Sequence, residues 1–272
     1  MSRVINIGNK NFELGKKTYI MGILNVTPDS FSDGGSFNSV DKALNHAEEM
    51  ISLGADIIDI GGESTRPGHN IVSGEEEIER VLPVIRALKL NFDIPISIDT
   101  YKAKVAEAAV KEGADLINDV WGFKKDPLMA KVAAKLNVPC CLMHNRDNTN
   151  YSDLMKDVLS DLQESIDIAL EAGVKPHNII VDPGIGFAKT YEQNLAVMNN
   201  LEKLTTLGFP VLLATSRKSM IGNTLNLPPK ERVEGTVATT VIGIMKGCDF
   251  VRVHDVLENK RAIMMTDAIV RI

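Results

Sequence analysis

Two kinds of apolar stretch alternate along the chain. One is short, rich in β-branched residues and apolar at successive positions. It recurs at 19–26, 56–62, 95–100, 116–120, 139–144, 179–182, 210–216 and 250–256. A run such as Ile179-Ile180-Val181 has no polar face, which is the pattern of a parallel strand covered on both sides. The other kind is longer and repeats every three or four residues, at 40–53, 76–90, 103–111, 127–136, 154–172, 192–207, 235–246 and 259–270. Within 76–90, for example, Ile78, Val81, Leu82, Ile85 and Leu88 fall on one helical stripe. Gly54, Gly113, Gly173, Gly208 and Gly247 stand where these helices should stop. Ahead of the first core strand, Val4-Ile5-Asn6-Ile7 and Asn11-Phe12-Glu13-Leu14 flank Gly8-Asn9-Lys10 and predict a short hairpin placed to plug one end of the domain.

Eight strand–helix repeats in one chain predict an α/β fold, a (β/α)8 TIM barrel with a short N-terminal β-hairpin. The expected organisation is one domain over 1–272, with the hairpin in 1–16. A doubly wound open sheet is the alternative, disfavoured because no strand is followed by a GxGxxG turn.

Composition narrows the function classes. Of 272 residues, 44% are hydrophobic and 24% charged, and the formal net charge is −6. That balance argues against a general nucleic-acid or anionic-membrane surface. No apolar run reaches membrane-spanning length, and 1–17 lacks the apolar core of a signal peptide. Cys140, Cys141 and Cys248 have no metal-site spacing, and the adjacent pair should face opposite ways on its strand. Three free, buried thiols point to a reducing cytoplasm.

The chemistry gathers where the strands end. Asn25, Asp99, Asn118, His144, Asp182, Lys218, Arg252 and His254 all close or follow core strands. In a barrel those ends meet at one mouth, where barrel enzymes keep their active sites. Asp99, Asn118 and Asp182 can accept hydrogen bonds from the N–H groups of a heterocycle, and a carboxylate matches an N–C–NH2 edge with two parallel bonds. Arg252 and His254 are two apart and share a strand face, which with Lys218 suits an anion. Each residue also has a plainer role open to it. Asp182 can cap its Pro-Gly turn, Asp99 can support a helix start, Asn118 and Asp119 can bond neighbouring loops, and His144 taken alone reads as a satisfied core histidine. Two Gly-, Ser- and Pro-rich loops, 27–38 and 63–73, flank the mouth and read as lids.

The blocks Asn25-Val26-Thr27-Pro28-Asp29-Ser30-Phe31-Ser32-Asp33-Gly34-Gly35 and Gly62-Glu63-Ser64-Thr65-Arg66-Pro67-Gly68 resemble the two signatures of the dihydropteroate synthases. Asp182-Pro183-Gly184-Ile185-Gly186-Phe187, Ser216-Arg217-Lys218-Ser219 and Arg252-Val253-His254-Asp255-Val256 resemble the later blocks of that family. The resemblance runs from Tyr19 to the end of the chain. It implies a homodimeric enzyme that joins 6-hydroxymethyl-7,8-dihydropterin diphosphate to p-aminobenzoate, releasing diphosphate, with Mg2+ as cofactor and sulfonamides as competitors. It implies that Asp182 grips the aminopyrimidine edge, that Asn118 and Asp99 bond other pterin nitrogens, and that Lys218 covers the ring. Thr65, Arg252, Val253 and His254 contact the diphosphate substrate, and Asn25 meets the metal. Phe31, Pro67 and Ser219 frame the p-aminobenzoate site, and Met143 and Phe187 line the pterin pocket. Asp99, Lys218, Arg252 and His254 form the implied catalytic set.

Two places depart from the family pattern: Trp121, where a small residue is more usual, and the loop 145–150. A pterin-binding methyltransferase of the same fold and a non-catalytic pterin-binding paralogue are the competing readings. The methyltransferase would need neither the first-loop signature, nor Lys218-Ser219, nor the Arg252/His254 pair, and against the paralogue no matched catalytic position is replaced.

Overall fold

The computed structural model describes residues 4–27, 36–63 and 72–271. Strands β1 (Val4–Ile7) and β2 (Lys10–Glu13) pair antiparallel, with Ile5 opposite Phe12. Eight parallel strands follow among the described residues: β3 (Tyr19–Asn25), β4 (Ile57–Gly61), β5 (Ile96–Asp99), β6 (Leu116–Asp119), β7 (Cys140–Met143), β8 (Ile179–Asp182), β9 (Leu212–Leu213) and β10 (Phe250–Val253). They lie in the order β8-β7-β6-β5-β4-β3-β10-β9. Val181 bridges Val211, and its N–H donates to the Pro210 carbonyl at 2.9 Å, so the two ends of the sheet meet. The result is a (β/α)8 barrel led by a hairpin.

Helices α1 (Ser36–Ser52), α2 (Gly74–Asn91), α3 (Ala103–Glu112), α4 (Met129–Leu136), α5 (Leu154–Glu171), α6 (Tyr191–Asn199), α7 (Ser219–Leu225), α8 (Val233–Met245) and α9 (Val256–Val270) connect the strands. Their starts follow ordinary capping chemistry. The Ser73 hydroxyl accepts the Glu76 N–H at 3.1 Å, ahead of three glutamates in the first turn of α2. Thr190 and Gln193 cap each other at the start of α6. Gly113 ends α3 at φ 123°, where its N–H reaches back to the last carbonyls of the helix.

The strands divide their side chains by period two. Ile20, Ile58, Ile98, Ile117, Cys140, Val181 and Val251 face outward into a layer shared with helical residues such as Ala47, Val81, Ile85 and Val105. Met21, Ile57, Leu116, Cys141, Ile180, Leu212 and Phe250 face the barrel axis. As expected, Cys140 and Cys141 point to opposite sides. The hairpin seats Ile5, Ile7, Phe12 and Leu14 against the inward set. The rings of Phe12, Tyr19 and Phe250 meet there at centroid distances of 4.8 to 5.9 Å. One end of the barrel is therefore filled with hydrocarbon, and polar inward residues are left to the other.

Several boundaries differ from the sequence expectation. The stretch 192–207 is not one helix: α6 stops at Asn199, and a 3-10 segment, Leu201–Leu207, follows. Asn200 breaks it, with its side-chain amide donating back to the Ala196 carbonyl, and Thr205 and Thr206 do not favour a long helix. The seventh barrel strand is confined to Leu212–Leu213 within 210–216. The last helix begins at Val256, three residues before the expected start. Helix α7 has no counterpart in the periodicity, since Gly222 and Asn223 interrupt its pattern.

Phe12→Ala removes a ring from the plug and should destabilise the fold by about 3–5 kcal/mol. Urea denaturation measures this, and an unchanged midpoint would mean that the hairpin is not part of the core.

Candidate active site

At the open end the inward positions become charged. Asp59, Asp99, Asn118 and Asp182 are buried, and Arg252 reaches in among them from β10. The Arg252 guanidinium donates through Nε to Asp59 Oδ2 at 2.6 Å and through Nη2 to Asp99 Oδ2 at 2.6 Å. Asn118 leans toward Asp59, with Nδ2 3.4 and 3.5 Å from its oxygens. Burial works against the Arg252 charge, but Asp59 and Asp99 outweigh it and hold the guanidinium protonated.

Asp99 is held less completely. Its Oδ1 is buried and finds no hydrogen-bond partner among the described residues, and the same is true of Ser97 Oγ. Burial pushes Asp99 up to about 7; Arg252 opposes the shift and Asp59 adds to it. An unpaired carboxylate oxygen in such a place has a strong preference for an incoming N–H donor. At the rim, Gly61 leaves a gap that a side chain would fill. A Cβ there would lie 3.5 Å from Asn25 Oδ1 and 3.8 Å from Asp99 Oδ2.

Asp182 ends β8, and its Oδ1 accepts the Gly184 N–H at 2.7 Å, which is the turn-capping role open to it from sequence. Burial raises its pKa, with Lys218 the main opposing charge. Gly184 has φ 67°, and a Cβ on it would sit 1.9 Å from the His144 carbonyl oxygen, so the chain passes where no side chain fits. Lys218 is the cap residue of α7. Its Nζ donates to the Ile185 carbonyl and lies 4.6 Å above the Phe187 ring. Burial pulls Lys218 down to about 8, opposed by Asp182.

His254 shares the face of Arg252. Its Nδ1 is 2.9 Å from Ser216 Oγ, which also accepts the His254 N–H at 3.1 Å. Arg217, by contrast, is tied to both oxygens of Asp255 and serves the loop. Met143 is buried beside Asp182 in the β7–β8 register, and Ser219 opens α7. The Val253 side chain is packed in the outer layer with the helices. Asp119 also faces outward, accepting the N–H groups of Trp121 at 2.8 Å and Phe123 at 2.9 Å. His144 is the satisfied core histidine that its sequence setting suggested, with Nε2 3.0 Å from Asp161. Phe31, Thr65 and Pro67 lie outside the described residues.

Asp59 was not singled out from the sequence. Its signal was available, as a lone acid on the inward phase of Ile57-Ile58-Asp59-Ile60. It was hidden because it sits inside a strand and not at its end.

The sequence profile of the family described as pterin binding enzyme matches residues 21–254. The chain is 72% identical to the dihydropteroate synthase of Clostridium beijerinckii, over 98% of this chain and 100% of that one. A Clostridium difficile dihydropteroate synthase, solved in the presence of pteroic acid, superposes with a TM-score of 0.95 at 58% identity, over 96% of this chain and 100% of the other. The Xanthomonas albilineans dihydropteroate synthase, solved with 4-aminobenzoic acid, does so with a TM-score of 0.94 at 39% identity, over 99% and 98% of the two chains.

Carboxylate-detected NMR of the ligand-free protein should place the Asp99 titration near 7, ionised above and protonated below that pH. A midpoint in the ordinary carboxylate range would show that water reaches Oδ1.

Proposed function

The chain belongs to the pterin-binding enzymes and, among them, to the dihydropteroate synthases, and from that premise we propose how its barrel mouth carries out the condensation of 6-hydroxymethyl-7,8-dihydropterin diphosphate with p-aminobenzoate. The observation that carries the reading is the half-satisfied Asp99 carboxylate, held by Arg252 on one oxygen and bare on the other. Asp182, another buried carboxylate, and Lys218, a second cation, belong to the same barrel mouth. A heterocycle with N–H groups supplies the donors that these acids lack.

In this reading Asp182 takes the aminopyrimidine edge of the pterin, and Asp99 and Asn118 take further ring nitrogens. Lys218 lies over the ring, with Phe187 and Met143 along its sides. Arg252, His254 and Thr65 meet the diphosphate end, and Phe31, Pro67 and Ser219 frame the p-aminobenzoate. The C–O bond to diphosphate breaks first, and its electron pair leaves with the diphosphate. The positive charge that remains on the methylene spreads into the dihydropterin ring, where Asp99 and Asp182 stabilise it. The weakly nucleophilic arylamine then forms the C–N bond and gives up a proton. Closure of the loops 27–38 and 63–73 keeps water from the cation.

The residues present also fit a role for Mg2+. Among the described residues no three His, Cys, Asp or Glu side chains form a metal cluster. Mg2+ at phosphate sites takes few protein oxygens and fills its shell with phosphate and water. Asn25 Oδ1, beside the gap over Gly61, supplies one such oxygen. When bound, the ion would neutralise charge building on the departing diphosphate.

The chain is read as one barrel domain over 1–272. Met245 on α8 and Met264, Met265 and Ile269 on α9 are exposed on adjoining helices, an apolar face suited to a second copy in a homodimer. No helix among the described residues is long and apolar enough to cross a membrane, and the buried free thiols suit the cytoplasm.

Release of diphosphate that requires both p-aminobenzoate and Mg2+ is the expected behaviour; release without the arylamine points to a hydrolase instead. A secondary isotope effect at the pterin methylene separates the dissociative path from a tight displacement. Asp182→Asn should weaken pteroic acid binding by about 1.5–3 kcal/mol, read by calorimetric titration. Arg252→Ala should lower kcat by about 10²–10³-fold. A rise in KM with kcat intact would instead assign Arg252 to ground-state binding.

A further inference from the structure

Beneath the 183–189 segment runs a line of charged groups that the chemistry above does not use. Lys189 is buried, and its Nζ has three neighbours: His144 Nδ1 at 2.8 Å, the Gly184 carbonyl at 3.0 Å and the Phe187 carbonyl at 3.1 Å. Three acceptors use all three N–H groups of an ammonium. The carbonyls can only accept, so His144 presents a bare Nδ1 and carries its proton on Nε2, which donates to Asp161 Oδ2 at 3.0 Å. Asp161 accepts Arg146 through Nε at 2.5 Å and Nη2 at 3.1 Å. Arg146 lies 4.5 Å over the ring of Tyr151, whose hydroxyl donates to the Ala188 carbonyl at 2.7 Å. The line begins and ends on the same segment.

Such an arrangement is costly. Burial pulls Lys189 down to about 7, opposed chiefly by the Asp182 carboxylate, and pulls His144 down to about 4, opposed by its hydrogen bond with Asp161. A loop that needed nothing but closure could be held by water or a hydroxyl. The carbonyls that Lys189 takes, on Gly184 and Phe187, flank the Ile185 carbonyl that Lys218 takes. Two lysines therefore share one short segment, one from the barrel mouth and one from the buried line.

We propose that Lys189 is a positioning residue for the pterin site, holding through Gly184 and Phe187 the segment that sets the depth of the ring and the place of Lys218. The inference rests on the pterin reading of the mouth. Lys189 touches no substrate; it acts by fixing the backbone on which Asp182, Ile185 and Phe187 are mounted.

Lys189→Met keeps an unbranched chain and removes every donor. The Kd for pteroic acid and the KM for the dihydropterin diphosphate should rise about 10- to 100-fold, with the KM for p-aminobenzoate at saturating pterin substrate changed by less than about twofold. A purely structural role lowers Tm and leaves the two KM values alone. The loss should also shrink in a Lys218→Met background, because the two lysines act through one segment. Additive losses, or a folded Lys189→Met with wild-type pteroic acid affinity, overturn the proposal. Should Lys189→Met fail to fold, Asp161→Asn tests the line from its middle, where Asp161 joins His144 to Arg146: weakened pteroic acid binding supports the role and unchanged binding overturns it. Asp182→Asn is run in parallel. If it loses pteroic acid affinity while Lys189→Met keeps it, the Lys189 inference fails alone; if Asp182→Asn keeps it, the pterin reading falls and takes the inference with it.

Discussion

A guanidinium inside a barrel has to be paired, and the rest of the site follows from how Arg252 is paired here. Taken from water alone, such a charge would cost several kcal/mol, and removing one partner from a buried pair is strongly destabilising. Asp59 and Asp99 meet it from two adjacent strands. Asp59 is spent on the pair and on Asn118, whereas Asp99 gives one oxygen and keeps the other. The pairing thus does more than neutralise Arg252. It orients a carboxylate and leaves half of it available.

The second charged group of the floor, Asp182 with Lys218, is built differently. Its partners do not close on each other: Asp182 bonds its own turn, and Lys218 bonds the carbonyl of Ile185 in that same turn. A flat ring can enter between groups that are attracted but not locked. Together the two arrangements give a floor whose dipoles are set before any ligand arrives, the condition under which electrostatic stabilisation costs no reorganisation. Gly184 and Gly186 make this possible by letting the turn run close to the His144 carbonyl and the Lys218 stem.

Much of this was legible in the sequence. Strands covered on both faces lose the usual alternation and show as apolar runs, so eight of them announced a barrel. Acids, amides and cations near the ends of those runs stood out against the apolar residues that precede them. Asp59 was missed because it interrupts a run without ending it. Lys189 and Asp161 were missed for another reason: a lysine in a loop and an aspartate in a helix look solvated until the fold brings His144 between them. Helix periodicity failed where Asn200 lets local hydrogen bonding compete with the helix, and it did not reveal α7 because Gly222-Asn223 interrupts the apolar pattern. The block Arg252-Val253-His254 names neighbours in sequence, and the strand packs the Val253 side chain on the side opposite Arg252. The lid residues Phe31, Thr65 and Pro67 rest on the sequence blocks.

The hydrocarbon plug also bears on the order in which the molecule is assembled. The hairpin precedes every barrel strand in the chain, yet Phe250, against which Phe12 packs, belongs to β10, the last strand among the described residues. Until β10 has been made, the apolar side of the hairpin lacks part of its seat, a contact of long sequence separation that must wait for ring closure. The hairpin is made before its seat, and a nascent chain stalled before β10 would expose that surface to chaperones or to other nascent chains.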